Sequence, residues 1–177
     1  MSENGDVYED GLFKLSGSDG NFTPILVLFA VRLGVGGIHP IYWDFLKLCL
    51  QTKQSVGIAG GRPSSSHYFV AFQNDMFIFL DPHETQQAAK LESTEACSNE
   101  AAATFHTRSL HWIHLQNMDP SMVIGFLIRT QDDYIDWKNS VQSLPEKSRF
   151  LHILEKEPRV SEYENDVMAL SDDLEEG

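Results

Sequence analysis

An acidic residue and a histidine two positions apart are the residues of this sequence that best fit proton-transfer chemistry. Asp81 and His83 directly follow the apolar run Phe77–Leu80, and Pro82 stands between them. In an extended segment the side chains at positions i and i+2 lie on the same side, roughly 6.6 Å apart along the chain, so Asp81 could turn back to hold one imidazole nitrogen of His83. The other nitrogen would then accept a proton from a nucleophile, as in Ser-His-Asp and Cys-His-Asp sites.

The same residues are also typical of an ordinary turn. In that interpretation Asp81 accepts hydrogen bonds from nearby backbone N–H groups, and His83 has no chemical role. The two cysteines do not decide between a catalytic pair and an ordinary turn, because neither is an obvious nucleophile. Cys49 lies on the apolar face of a predicted helix, and Cys97 lies in a polar, alanine-rich stretch. Neither has the electropositive surroundings that activate a thiolate, so we expect neither to be catalytic.

Several further motifs follow one another in order between about residue 24 and residue 158. They are Arg32-Leu33-Gly34, Gln54–Pro63, Ser66–Phe69, Leu80–Gln86, Leu110–Leu115, Met118–Ser121, Gly125-Phe126 and Asp132–Trp137. In this order and with this spacing the motifs resemble the autophagin family of papain-like cysteine proteases, which process the ubiquitin-like modifier of autophagy.

The resemblance implies a function and a set of site residues. It implies that Asp81 and His83 complete a Cys-His-Asp triad, that Gly60-Gly61-Arg62-Pro63 forms a mobile lid over the active site, and that the cut falls after a substrate glycine. The implied substrates are the modifier precursor and the modifier conjugated to phosphatidylethanolamine, and no metal or cofactor is required. The implied membrane contact is transient and made through the lipidated substrate only.

The resemblance places the nucleophilic cysteine in an amino-terminal half that matches nothing in this chain. We therefore expect a partial protease domain that is inactive alone and that depends on the missing half as a partner, because the nucleophile carries the acyl intermediate. A non-catalytic module that sequesters the modifier is the alternative, and an incomplete sequence without independent function is a third possibility.

The segment Gly60-Gly61-Arg62-Pro63 makes physical sense as a lid, because glycines supply a hinge and proline supplies stiffness. It is not a phosphate-binding loop, since no Gly-Lys-Ser/Thr follows. A plain inter-strand loop over residues 60–65 is the alternative.

Composition limits the domain organisation and the kinds of partner. The 177 residues are 42% hydrophobic, which fits one domain or half of a larger one. The net charge of -13 is concentrated at the ends, where residues 1–20 hold five acids and one base and residues 155–177 hold nine acids and two bases. We expect disordered acidic ends over residues 1–23 and 159–177, a protease-like domain over residues 24–158, and no nucleic-acid partner.

Hydropathy indicates a cytoplasmic protein without a membrane anchor. The first residues are acidic where a secretory signal needs basic residues. The longest apolar run, Ile25–Val31, is far shorter than the roughly 20 residues that span a bilayer. Because this run is apolar at every position, it predicts a buried, central strand.

The remaining patterns predict an α+β fold, a partial papain-like fold with a mixed, largely antiparallel sheet flanked by helices. The predicted helices begin at Pro40 and after Thr130, with Asp133 completing a capping box. The predicted strands are Ser55–Ala59, Ser66–Phe72, Met76–Leu80, Ser109–Leu115 and Val123–Ile128.

A metal site built from the histidines is disfavoured by the sequence pattern. The candidate ligands are Asp81, His83, His106, His111 and His114. His111 and His114 on a strand would point to opposite faces, and no paired cysteines stand at zinc spacing, so we predict no metal site. His67 is interpreted as a partly buried strand residue rather than a chemical group.

Overall fold

The computed structural model describes residues 5–17, 22–62, 65–83, 85, 102–107 and 109–157. The helices are α1 (Glu9–Ser16), α2 (Trp43–Gln51) and α3 (Gln131–Gln142). The strands are β1 (Asp6–Tyr8), β2 (Ile25–Arg32), β3 (Ser55–Arg62), β4 (Ser65–Gln73), β5 (Met76–Leu80), β6 (His111–His114), β7 (Ser121–Ile128) and β8 (His152–Leu154). The fold is α+β, as the sequence predicts.

Within these described ranges, six strands form one antiparallel sheet in the order β2-β7-β3-β4-β5-β6. The hairpin of β4 and β5 turns at Asn74, whose φ of 55° is the left-handed conformation that such a tight turn requires. A second, two-stranded sheet pairs β1 with β8 in parallel. The largely antiparallel sheet flanked by helices agrees with the prediction and with a papain-like fold.

The hydrophobic core lies between one face of the large sheet and the helices. Helix α2 packs on β3 and β4, and α3 packs on β7. The amphipathic pattern of the helices explains this, because each presents one apolar stripe to the sheet. The largest fully buried core side chains are Phe29, Phe45, Leu46, Ile58, Phe69, Phe77, Leu115, Met118, Ile124, Phe126, Ile128 and Trp137.

The predicted capping of α3 is present with one variation. The Asp133 N–H donates to Thr130 Oγ1 at 3.0 Å, and Asp133 Oδ2 accepts from the Arg129 N–H at 3.1 Å. The reciprocal hydrogen bond therefore reaches one residue before the N-cap, and it still satisfies free N–H groups at the helix start. Among the described residues, no helix is long and apolar enough to cross a membrane.

The opposite face of the large sheet carries exposed apolar side chains, and we call it the outer face. Strand register places Leu26, Leu28, Tyr68, Trp112 and Val123 on it. These five side chains are between 39% and 53% exposed. An apolar surface of this kind is typical of a face that packs against another structure.

The expectation of a central, buried β2 is wrong. Among the described residues, β2 pairs with β7 alone and lies at the edge of the sheet, where Leu26 is 53% exposed. The error follows from the pattern itself: a strand that is apolar on both faces is typical of burial, but here one of those faces is the exposed outer face.

The expectation of disorder is also wrong for residues 5–17, which form β1 and α1. Strand β1 pairs with β8, and α1 buries Leu12 and places Phe13 edge-on to Tyr134 at a ring-centroid distance of 5.0 Å. Acidic, glycine-containing composition predicted disorder, and these long-range contacts outweigh it. Residues 1–4 and 18–21 and the predicted acidic tail over 159–177 lie outside the described residues, so the expectation of disorder stays a prediction there.

Candidate active site

Asp81 and His83 contact each other at the end of β5. His83 Nδ1 lies 2.7 Å from Asp81 Oδ1, and the His83 backbone N–H donates to the same oxygen at 2.9 Å. The hydrogen bond that forms the turn and the contact that orients the imidazole ring are therefore both present. The backbone hydrogen bond holds the Asp81 carboxylate in place for the ring. With Nδ1 held by the carboxylate, the imidazole presents Nε2 for proton transfer.

The hydrogen bonds keep Asp81 ionised. The backbone N–H of His83, followed by its ring, lowers the pKa of the Asp81 carboxyl below its ordinary value. A carboxylate in this state stabilises a positively charged imidazole, which is what an acid-base catalyst needs after it takes a proton. His83 itself is 54% exposed, so a reacting group has access to it.

The β4–β5 hairpin explains how the site is positioned. Tyr68 pairs with Leu80, so the next position along this register brings His67 opposite Asp81. His67 Nε2 lies 3.9 Å from Asp81 Oδ2, whereas His83 contacts Oδ1. The carboxylate therefore has one oxygen near each imidazole ring.

His67 is a buried residue of a strand, close to the sequence interpretation, but that interpretation did not place it beside Asp81. His67 is only 7% exposed, and its ring lies 4.2 Å, centroid to centroid, from that of Phe79. Ser65 Oγ lies 3.4 Å from its Nε2. The two-residue turn at Asn74-Asp75 alone would place Tyr68 opposite Asp81. A register shift between Phe69 and Ala71 brings His67 to that position instead, and no sequence signal marks that shift.

The glycine segment lies beside the histidine, but not as the predicted loop over residues 60–65. Gly60 and Gly61 belong to β3 and pair with His67 and Ser66, and the Gly61 carbonyl accepts the Asp119 N–H at 2.6 Å. Glycines suggested a loop, and the hairpin pairing overrides that preference. Arg62 ends β3, and Pro63 lies outside the described residues.

A pocket of about 330 Å³ joins these groups. Its lining residues are Gly60, Gly61, Ser65, Ser66, His83, Asp119 and Ser121. Gly61 allows the strands to approach closely, because a Cβ there would lie 1.9 Å from the Ser65 carbonyl oxygen. Asp119, which the sequence places within the Met118–Ser121 motif without a role at the site, also lines this pocket.

The other candidate residues do not join the site. Cys49 is fully buried in α2, and burial raises the pKa of its thiol, which agrees with an inert structural cysteine. His111 stacks on Phe79, and His114 lies edge-on to Trp43. His106 is exposed, and Cys97 lies outside the described residues.

Comparison with known proteins decides the family. The Peptidase C54 catalytic domain matches residues 1–140 of this chain. The chain belongs to the peptidase C54 family. That match covers most of the chain and includes Asp81, His83 and the glycine segment, and the autophagin resemblance read from the motifs is thereby confirmed.

Curated relatives of this peptidase C54 chain include several fungal proteins. The cysteine protease atg4 of Emericella nidulans is 47% identical over 146 residues, which cover 82% of this chain and 36% of the relative. The probable cysteine protease atg4 of Aspergillus oryzae is 46% identical over 158 residues, covering 88% and 39%. The probable cysteine protease ATG4 of Pichia angusta is 42% identical over 170 residues, covering 89% and 33%. The chain thus spans about a third to two fifths of the length of these relatives.

Proposed function

We propose that this chain supplies the general base, His83, and its orienting carboxylate, Asp81, to a cysteine protease of autophagy. The observation that supports the proposal best is the 2.7 Å contact between His83 Nδ1 and Asp81 Oδ1 in a member of a cysteine protease family. The reaction is hydrolysis after the C-terminal glycine of a ubiquitin-like modifier, in the precursor and in the conjugate with phosphatidylethanolamine. It takes place in the cytoplasm, and the membrane is met only through the lipidated substrate.

The proposed reaction needs two proton transfers in each half. His83 takes the proton of a cysteine thiol, and the thiolate attacks the glycine carbonyl carbon. The imidazolium then gives its proton to the leaving amine, and a thioester remains. His83 next takes a proton from water, hydroxide releases the modifier with a free glycine carboxylate, and the thiol regains its proton. Asp81 stabilises the imidazolium at each stage.

The thiol in this proposal comes from a segment outside this chain. Within the described residues, Cys49 is the cysteine present, and it is fully buried with a raised pKa. A buried, protonated thiol does not attack a carbonyl. The relatives are more than twice as long as this chain, which leaves ample length for such a segment.

Gly60 and Gly61 form the proposed border of the substrate channel. They line the same pocket as His83. Both positions leave little room for a side chain, since a Cβ at Gly60 would lie 3.0 Å from Met122 Cβ and one at Gly61 would lie 1.9 Å from the Ser65 carbonyl oxygen. A glycine-ended tail is narrow enough for such a border. The proposal includes a lid role for Gly60-Gly61-Arg62-Pro63. The two glycines can move only if their pairing with β4 opens.

A chimera tests the proposed reaction. This chain replaces the matched region of the Emericella nidulans cysteine protease atg4, and the chimera is incubated with a ubiquitin-like modifier that carries a reporter beyond its terminal glycine. We expect release of the reporter and, by mass spectrometry, a modifier that ends in glycine. A folded chimera that leaves the modifier intact, or that cuts elsewhere, would contradict the proposal.

The isolated chain is the matched control. We expect it to form no thioester with the modifier and to release no reporter, because it lacks an accessible thiol in its described part. Cleavage by the isolated chain that is lost in the Cys49→Ala or Cys97→Ala variant would show that the nucleophile lies within this chain. Tight modifier binding by the chain together with an inactive chimera would favour the sequestering module instead.

A further inference from the structure

Three metal-ligating side chains from three successive parts of the fold meet at the end of the large sheet. His67 comes from β4, Asp81 follows β5, and His83 lies in the turn after it. One ligand atom of each lies within 4.8 Å of the other two. His83 Nδ1 is 2.7 Å from one carboxylate oxygen of Asp81, and His67 Nε2 is 3.9 Å from the other.

These distances come close to those of a metal centre. With metal–ligand bonds of about 2.0–2.1 Å in a tetrahedral arrangement, neighbouring ligand atoms stand roughly 3.3 Å apart. The two observed separations lie on either side of that value and end on different oxygens of Asp81. The three ligand atoms all lie within 4.8 Å of one another, so the largest shift needed is about 1.5 Å. His83 can make such a shift because its side chain is 54% exposed.

The other two ligands are held in place. His67 is 7% exposed, and its ring packs on Phe79 at 4.2 Å and lies edge-on to Phe69 at 6.4 Å. Asp81 is fixed by the His83 backbone N–H at 2.9 Å. A site with two fixed ligands and one adjustable ligand loses little conformational entropy when an ion binds.

The pocket beside the cluster leaves room for further ligands. It has a volume of about 330 Å³, is lined by His83 and Ser65 among others, and opens next to the ring that would turn toward the ion. Two imidazoles, one carboxylate and an open position for water are the ligand set of many zinc sites. Magnesium and calcium prefer sites built from oxygen atoms alone.

We propose that His67, Asp81 and His83 form a binding site for Zn²⁺ that blocks the Asp81–His83 pair. Zinc takes Nδ1 of His83 in place of the Asp81 hydrogen bond, and the ring then carries its proton on Nε2. Such a ring has no lone pair left to accept a proton. The inhibitory consequence rests on the proposed function, whereas zinc binding itself does not.

Calorimetric titration of the untagged, metal-free 177-residue chain with ZnCl₂ tests the site without any activity measurement. We expect saturable binding of one ion per chain. The His83→Gln variant should lower the affinity at least tenfold, the usual minimum even for residues that only support a metal ligand. His83 is exposed, so this change leaves the packing intact, and near-UV circular dichroism checks it.

Two further variants complete the test. Asp81→Asn should weaken zinc binding as His83→Gln does, and His106→Gln, which removes an exposed histidine outside the cluster, should leave the affinity unchanged. Mg²⁺ in place of Zn²⁺ should give no saturable heat. Absence of one-to-one zinc binding up to about 1 mM, or binding that His83→Gln leaves unchanged or His106→Gln abolishes, would overturn the proposal.

Discussion

Glu9 and Tyr134 join the first helix to the last one across 125 residues of sequence: the Tyr134 hydroxyl donates to Glu9 Oε1 at 2.6 Å. The same oxygen accepts from Lys138 Nζ at 2.8 Å. The hydrogen bond from Lys138, followed by that from Tyr134, lowers the pKa of Glu9 below its ordinary value of 4.5. The contact ties a segment of acidic, glycine-containing sequence to α3.

Replacing Glu9 by Gln should therefore lower the free energy of unfolding by about 1 kcal/mol at pH 7, because a charged acceptor is lost and the site is only partly shielded from water. Asp10→Asn is the matched control, since it removes one carboxylate from the exposed neighbouring position of α1. Urea denaturation of both variants measures the difference. Equal stabilities for the two variants would show that the Glu9 contact contributes nothing.

The effect of Glu9 should also depend on pH. Its folded pKa is lower than its unfolded pKa, so its contribution is complete above about pH 4.5 and is lost as pH falls through the folded value. The stability gap between the wild-type chain and Glu9→Gln should therefore close in acid. A gap that stays constant between pH 7 and pH 3 would indicate that the charge is irrelevant.

Gly57 should not tolerate a side chain. Its φ of +100° lies in the region that favours glycine, it stands at a bulge in the pairing of β3 with β7, and a Cβ there would lie 2.7 Å from Tyr68 Cε2. We expect Gly57→Ala to lower the free energy of unfolding by at least about 1–3 kcal/mol.

Gly11 provides the opposite case for the same substitution. It lies within α1, and a Cβ there meets nothing within 4 Å. Gly11→Ala should raise the free energy of unfolding by about 0.5–1 kcal/mol, because alanine loses less conformational entropy in a helix. Thermal melts of the two variants should move in opposite directions. A shift of the same sign in both would be inconsistent with the described backbone at Gly57.

The outer face should make the isolated chain associate with itself. Val123 is 39% exposed on this face and lies on β7, which is not an edge strand. Ile135, on α3, is 48% exposed but lies outside the outer face, so it serves as the control position. Val123→Lys should reduce self-association in sedimentation velocity and the fluorescence of an apolar dye, because it places a charge within the apolar surface. Ile135→Lys should change neither. A wild-type chain that stays monomeric and binds no dye would show that this face needs no partner.

Local chemistry could be predicted from the sequence, and long-range placement could not. The contact of Asp81 with His83 spans only two residues and could be expected from the sequence, although it forms in a turn after β5 and not in an extended segment. The cap of α3 by Thr130 is local in the same sense. The position of His67 needs the register of β4 with β5, which a residue pattern alone leaves undetermined.

Strand order was the harder problem. The edge position of β2 follows from its pairing with β7, whose residues lie about a hundred positions later in the sequence. A strand with two apolar faces is typical of the centre of a sheet, and the pattern contains no information on which face another structure covers. Gly60 and Gly61 were expected in a loop for a similar reason, since glycine preference is local and their pairing with β4 is not.

The acid-base role of Asp81 and His83 can be measured directly by kcat/KM in the chimeric protease, with a chelator present to keep metal ions away. His83→Ala removes the proton acceptor, and Asp81→Asn leaves an imidazole that is no longer held by a carboxylate. We expect each variant to lose about 10²–10⁴-fold in kcat/KM. His106→Gln, an exposed histidine outside the cluster, should retain wild-type activity. Values for His83→Ala and Asp81→Asn within about twofold of the parent chimera, with unchanged melting, would contradict the assignment of these two residues.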